Sequence, residues 1–406
     1  MIQSGDTAFV LASAGLVLLM TPGLAFFYGG MVRGKNVLGT IMQSFIMISL
    51  ISLEWVYIGY SMAFGPDVAG LTGDLSLFAL MGVGAAPSPV YATTVPQIVF
   101  MIYQCMFAVI TPALIAGAFA ERVRFGPFLA FSLLWTILVY NPVCHWIWGG
   151  GWLGGLGVLD FAGGLVVHLT CGVAALAAIL VIGPRKDYGK RAFIPHNLPM
   201  TLLGTGLLWF GWFGFNGGSA LAANALAGTA FVATHLGGMA GMASWTAAEW
   251  YKTGKPTTLG AASGAIAGLA TITPAAGFVG PNAAICIGAL GGLICYLAVM
   301  AKARIGYDDS LDVIGIHGVG GLSGTLLLGL FASLEVNPAG ADGLFHGNPA
   351  FFGTQALGVA VVGAYAFIVS FAILKAVNAF SPLRLAPNAE ESGMDTSEHN
   401  ESAYQN

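Results

Sequence analysis

Apolar runs of about 20 residues, the length a helix needs to cross a bilayer, recur along this chain and are broken each time by Gly, Pro or charge. They fall near 7–31, 37–63, 96–120, 126–145, 160–183, 198–216, 224–251, 257–276, 282–303, 312–333 and 351–379, which predicts eleven transmembrane helices. The stretch LSLFALMGVG, around 75–85, is too short to span and reads as loop. The basic residues test the count, because eleven crossings put alternate loops on opposite sides. Arg33 and Lys35 follow helix 1, Arg122 and Arg124 helix 3, and Arg185, Lys186, Lys190 and Arg191 helix 5. Lys252 and Lys255 follow helix 7, Lys302 and Arg304 helix 9, and Lys375 and Arg384 close helix 11. All 14 Lys and Arg therefore share one side. The positive-inside rule makes that side cytoplasmic, with the N-terminus outside and the C-terminus inside.

Composition agrees. Asp, Glu, Lys and Arg make up 8% of the residues and hydrophobic types 57%, where a soluble domain carries about 25% charge. The mean hydropathy is +0.81. The reading is an all-α polytopic membrane protein surrounded by lipid in the cell (inner or plasma) membrane. A net charge of -4 points to no nucleic-acid partner. Cys105, Cys144, Cys171, Cys286 and Cys295 all lie in apolar runs without disulfide or metal spacing and read as small hydrophobes. No metal-ligand set, activated nucleophile or cofactor loop is present, so neither an enzyme nor a cofactor is expected. Residues 1–6 (MIQSGD) carry no Lys or Arg, and the first run is expected to be a true helix and not a leader.

Eleven helices divide as five, five and one. Helix 5 carries Asp160 and His168 within DFAGGLVVH, and helix 10 is led by YDDSLDVIGIH, where Asp309 and His317 repeat the same spacing. FFYGG (26–30) in helix 1 has a counterpart in WFGFNGGS (212–219) of helix 6. Corresponding helices enter from opposite sides, so the halves are inverted repeats, whose matching polar positions meet near the midplane. A lone histidine in a span is usually a packing residue. Two at equivalent positions, with no basic neighbour, point to a pathway. Two neutral imidazoles side by side share one hydrogen bond and still offer a polar edge to a small permeant, while an apolar lumen rejects hydrated cations by the cost of desolvation. Asp160 lies two turns from His168, about 12 Å along the axis, and cannot pair with it. At the outer start of helix 5 it is expected to cap exposed N–H groups.

Ten motifs in order carry a resemblance over the whole chain: PGLAFFYGGMVRGKN (22–36), GYSMAFG (59–65), AGAFAERVRF (116–125), HWIWGGG (145–151), DFAGGLVVH (160–168), HNLPM (196–200), WFGFNGGS (212–219), GAIAGL (264–269), TPAAGFV (273–279) and DVIGIHGVGG (312–321). The chain resembles the ammonium transporter (Amt/Mep/Rh) family, of the bacterial Amt type. The resemblance implies two inverted five-helix halves with a peripheral eleventh helix, and a homotrimer with one pore per subunit. It implies an outer recruitment site at Trp148 and Ser219, a gate of Phe107 and Phe215, and a twin-histidine lumen of His168 and His317 beside Trp212. Tyr103, one turn before Phe107, would add a hydroxyl to the vestibule wall, and Asp160 would place negative potential beneath the docked cation. Ammonium would be recruited, deprotonated and passed as ammonia.

Glu54 inside helix 2 departs from an apolar pattern and reads as a protonated or hydrogen-bonded group at a helix or subunit interface. Residues 1–380 form the expected membrane domain and 381–406 a cytoplasmic tail. On composition the tail is an acidic disordered segment; on resemblance it contacts the inner face of the pore and can meet a PII-type regulatory protein. An ammonium sensor on the same fold is the alternative function. The absence of a kinase or cyclase domain after helix 11 favours transport, and the complete recruitment site favours it over a gas channel.

Overall fold

The computed structural model, in which residues 1–404 are described, is built almost wholly of helices. Among the described residues, nine helices are long and apolar enough to cross a membrane. They are α1 (Ser4–Met31), α2 (Gly34–Phe64), α3 (Gln97–Phe119), α4 (Phe125–Gly155), α5 (Gly164–Ile182) and α6 (Leu198–Ala220), then α9 (Pro281–Ile305), α10 (Ile314–Phe331) and α11 (Pro349–Phe380). Between α6 and α9 lie α7 (Ala225–Thr253), rich in Gly, Ala and Thr, and α8 (Thr258–Ile272), which is short at 15 residues. These two fall on the expected segments 224–251 and 257–276. Asn197, Asn224, Thr257 and Asn348 cap α6, α7, α8 and α11 through their side-chain oxygens.

Burial ranks the helices. In the most apolar stretch of α3, 89% of the residues are buried, against 33% in α11. α3 is therefore central and α11 peripheral, laid against α5, α10 and α4. Close crossings depend on small residues. A Cβ on Gly172 of α5 would stand 2.1 Å from the Gly318 Cα of α10, and one on Gly241 of α7 would stand 2.5 Å from the Gly268 Cα of α8. These helix pairs pack backbone to backbone, as in other membrane bundles. Four cysteines are buried as the apolar runs imply, whereas Cys286 is exposed on α9.

Two local departures bear on function. The expected span 160–183 begins later, at Gly164, after an irregular approach. Five helices also contain a wide π-turn: Trp55–Gly59 in α2, Thr136–Tyr140 in α4, Gly164–Leu169 in α5, Phe213–Gly217 in α6 and Ile314–Gly318 in α10. Such turns gather at functional sites, and here those of α5 and α10 hold His168 and His317. The stretch 75–85 does not span, as expected, and forms loop around a single 3-10 turn (Phe78–Leu80), next to a two-stranded hairpin of β1 (Asp67–Val68) and β2 (Thr72–Gly73), paired antiparallel.

The loops on the basic face are tied by a buried ion network. Glu121, held at a left-handed φ of 74°, accepts from the Arg33 backbone N–H (2.8 Å) and Nε (3.0 Å), and its Oε2 pairs with Arg185 at 3.1 Å. Arg185 also forks onto Asp308 at 2.8 and 3.0 Å, while Arg122 donates to the Asp308 carbonyl at 2.6 Å. The ends of α1, α3, α5 and α10 are thereby joined. Burial pushes the Glu121 and Asp308 carboxyls up, but their arginine partners outweigh it and hold both below the usual carboxylate range. A depressed folded pKa gives stability that is present above the unfolded value and lost as pH falls through the folded one. Thermal unfolding in detergent should therefore show a midpoint that drops on acidification below about pH 4.5. Glu121→Gln should start lower at pH 7 and respond less to acid; a variant that keeps the parental profile would place the acid response elsewhere.

The tail is folded onto this face. Two short helices, α12 (Pro387–Ser392) and α13 (Met394–His399), follow an extended link. Asp395 accepts from Gly39 N–H (2.9 Å), Asn36 accepts from Met394 N–H (2.8 Å), and Glu390 pairs with Arg384 (2.9 Å). Glu398 accepts from Phe125 N–H at 2.8 Å, and the His399 ring stands edge-on to Phe125. Acidic composition here reflects docking on a basic surface.

Candidate functional site

Two cavities lie one above the other on either side of a pair of stacked rings. The first opens on the face opposite the basic loops. It encloses about 340 Å³, lined by Phe107, Trp148, Ser219, Gln104, Phe161 and Tyr91 among others. The Trp148 indole N–H donates to the Asp160 carbonyl at 2.7 Å, which fixes the ring at the cavity wall. Trp148 stands at 87° to Phe107, with centroids 6.1 Å apart. The Ser219 hydroxyl reaches the Phe215 carbonyl (2.9 Å) and the Tyr103 hydroxyl (3.2 Å).

Tyr103 does not line this cavity. It is fully buried, and its hydroxyl lies within 2.9 Å of the Gly214 carbonyl and 2.8 Å of the Phe215 carbonyl. It braces the π-turn that carries Phe215 and sets the rotamer of Ser219.

At the floor, Phe107 and Phe215 overlap with centroids 4.1 Å apart and planes tilted by 31°. Beneath them is a slot of about 10 Å³, bounded by His168, His317 and Trp212 and by apolar side chains such as Leu24, Leu114 and Leu208. That is room for about one water. The His168 ring is nearly parallel to Phe215 (26°), Trp212 (27°) and His317 (19°). His168 Nδ1 and His317 Nδ1 are 3.2 Å apart. A contact of that length needs a hydrogen on one nitrogen and a lone pair on the other, so at least one ring is neutral. His168 Nε2 is buried with no hydrogen-bond partner, and the Trp212 N–H is held by Thr273 at 2.9 Å.

Asp160 reaches neither cavity. Its Oδ1 accepts from Gly163 and Gly164 N–H (2.8 and 2.7 Å) and its Oδ2 from Leu165 and Val166 N–H (2.7 and 3.1 Å). One carboxylate thus satisfies the free donors at the start of α5 and aims the turn that bears His168. Asp309 holds the matching place in α10, accepting from Ile314 N–H at 2.8 Å. Among the described residues no three His, Cys, Asp or Glu side chains converge as metal ligands.

Four contributors escaped the sequence reading. Gln104 lines the vestibule one turn before Phe107 with its carbonyl oxygen buried and unpartnered. Tyr91 and Phe100 stack across the same wall at 5.4 Å. His145 is clamped between the Ala63 carbonyl and Asp67, both at 2.9 Å, fastening the end of α2 to the segment that bears Trp148. A glutamine inside an apolar helix was the one signal available for any of them. Glu54, the other polar intrusion, accepts from Asn141 at 2.8 Å between the π-turns of α2 and α4.

The model of the Ammonium Transporter Family matches residues 8–404. The ammonium transporter of Bacillus subtilis (strain 168) is 53% identical over 404 residues, 99% of either chain. Ammonium transporter Amt1 of Archaeoglobus fulgidus is 47% identical, over 99% of this chain and all of its own. Among solved structures, Saccharomyces cerevisiae Mep2 superposes with a TM-score of 0.89 at 37% identity, covering 95% of this chain and 88% of that one. A structure titled Sensor Amt Protein gives 0.88 at 29% identity, covering 97% and 98%. The chain belongs to the ammonium transporter family. It is a multi-pass integral membrane protein of a transporting family, not an enzyme, and its substrate is ammonium or ammonia.

Proposed function

We propose that ammonium is recruited in the vestibule, gives up its proton above the phenylalanine pair to the solvent of the open vestibule, crosses the lumen as ammonia along His168 and His317, and takes up a proton again from solvent at the inner mouth. The observation that carries this reading is the imidazole pair at 3.2 Å, stacked directly beneath Phe215 in a slot with room for about one small molecule. The Trp148 and Phe107 rings offer π faces to a cation, each worth roughly 0.5–2 kcal/mol according to its exposure. The Ser219 oxygen, braced by Tyr103, accepts one N–H. Potassium has no N–H to donate and no proton to release, so the apolar slot excludes it. Asp160 acts by aiming α5 and adds negative potential at the mouth.

On this reading all eleven helices cross the membrane in two inverted halves, residues 1–380 form the membrane domain and 381–406 the cytoplasmic tail. The basic face is the cytoplasmic one, and a homotrimer carries one pore per subunit. The tail then stands where a PII-type protein would meet the inner mouth.

Electrical recording and internal-pH measurement on proteoliposomes test the reading together. An ammonium pulse should produce a current or a pH change, and a potassium pulse neither. Trp148→Leu and Ser219→Ala should each raise the half-saturating concentration about fivefold, the worth of ~1 kcal/mol. Silence on both readouts, with ammonium still bound, would replace transport with sensing.

A further inference from the structure

A second trough lies far from the pore, between the basic-face ends of α4 and α11. It has about 510 Å³ of space. Its walls are Pro127, Ala130 and Leu134 from α4 and Val377 and Phe380 from α11, with Arg124 at its mouth. Phe380 is 93% exposed beside it. α11 is the peripheral helix, so the trough opens outward from the bundle.

Arg124 differs from its neighbours. Arg33, Arg122, Arg185 and Arg384 each stand within 4 Å of a carboxylate. Among the described residues no carboxylate pairs with Arg124, and its only side-chain contact is a long one, 3.4 Å, to the Pro382 carbonyl. Its backbone is pinned instead, with N–H donating to the Leu383 carbonyl at 2.8 Å. A guanidinium without a carboxylate partner among the described residues thus stands, on a pinned backbone, at the end of an apolar channel on the outer surface of the bundle.

We propose that this trough holds an acyl chain of an anionic phospholipid whose phosphate sits on Arg124. The guanidinium fork matches a phosphate in shape and charge. The apolar walls match the chain, and the leaflet on the basic side is the anionic one. The last point rests on the orientation proposed above. The bound headgroup also touches a regulatory-looking corner. Phe125, the next residue, is held by Glu398 and His399 of the tail, and Val123 pairs with Arg384. Glu398 is the acid at this corner, and one of its oxygens is already engaged by the Phe125 N–H. A lipid here therefore stiffens the same strip of chain that receives the tail.

The test uses the full chain in detergent, titrated with phosphatidylglycerol or phosphatidylcholine of identical acyl chains and read by native mass spectrometry. Phosphatidylglycerol should bind more tightly. Arg124→Gln should weaken it about fivefold and abolish the headgroup preference, while Arg124→Lys should keep that preference. Ala130→Trp should block both lipids. A preference untouched by Arg124→Gln, or binding untouched by Ala130→Trp, would overturn the site. So would a change of oligomeric state in Ala130→Trp, which would make the trough a contact between copies. Micelles have no sides, so this outcome is independent of orientation, which is read separately by labelling Ser392→Cys with an impermeant maleimide in a Cys286→Ala background.

Discussion

Ammonium flux through a chain carrying both His168→Ala and His317→Ala, read as current or internal pH, should fall at least about tenfold, or lose its discrimination against potassium. Each ring supplies a polar edge in a slot otherwise lined by hydrocarbon and indole. A polar group stranded in such surroundings costs roughly 1–3 kcal/mol, and ~1.4 kcal/mol is a factor of ten in rate. Single variants are informative too. His168→Ala leaves His317 Nδ1 without the partner now at 3.2 Å and opens space for water beneath Phe215. The measurement is current and internal pH under matched ammonium and potassium gradients, with thermal stability as the control for folding. Parental flux together with parental potassium exclusion would refute the assignment of the pair to the pathway.

Asp160→Ala should lose transport and folded yield together. Four backbone N–H groups converge on one carboxylate, and alanine leaves all four buried without acceptors, each at a cost of about 1–3 kcal/mol. Asp160→Asn is the sharper variant. It keeps the shape, but its amide NH₂ must face two of those donors, so the unfolding temperature should still drop. If the carboxylate served only to attract the cation, Asp160→Asn would raise the half-saturating ammonium concentration and leave the unfolding temperature unchanged. Pairing a thermal melt with a concentration series separates the two roles.

The long apolar helices were legible because hydropathy is nearly a one-dimensional signal. The capping role of Asp160 was legible for a similar reason, since an acid just before an apolar helix has few partners but its own turn. What lay beyond reach depends on the third dimension. Tyr103 and Phe107 share a face of α3, yet the hydroxyl of Tyr103 turns toward α6, where it meets the Gly214 and Phe215 carbonyls of the wide turn. Nothing in the spacing around Tyr103 announces that. Glu54 and Asn141 are 87 residues apart and meet only because the wide turns of α2 and α4 are adjacent. The docked tail reads as a solvated acidic segment until the basic surface beneath it is assembled.

Those wide turns also change what an alignment gap means in this chain. A π-turn holds one residue more than the α-turn it replaces, and each residue of an α-helix advances the face by about 100°. Deleting one residue from Gly164–Leu169 would leave a continuous helix of unchanged hydropathy and swing everything before the deletion away from its neighbours relative to everything after it. Such a chain would still insert and still look like a relative by composition, with its imidazole turned out of phase with its partner. On the proposed pathway the reading frame of the helix matters as much as the identity of its histidines, and a single-residue deletion in any of these five turns should disturb the fold more than a substitution there.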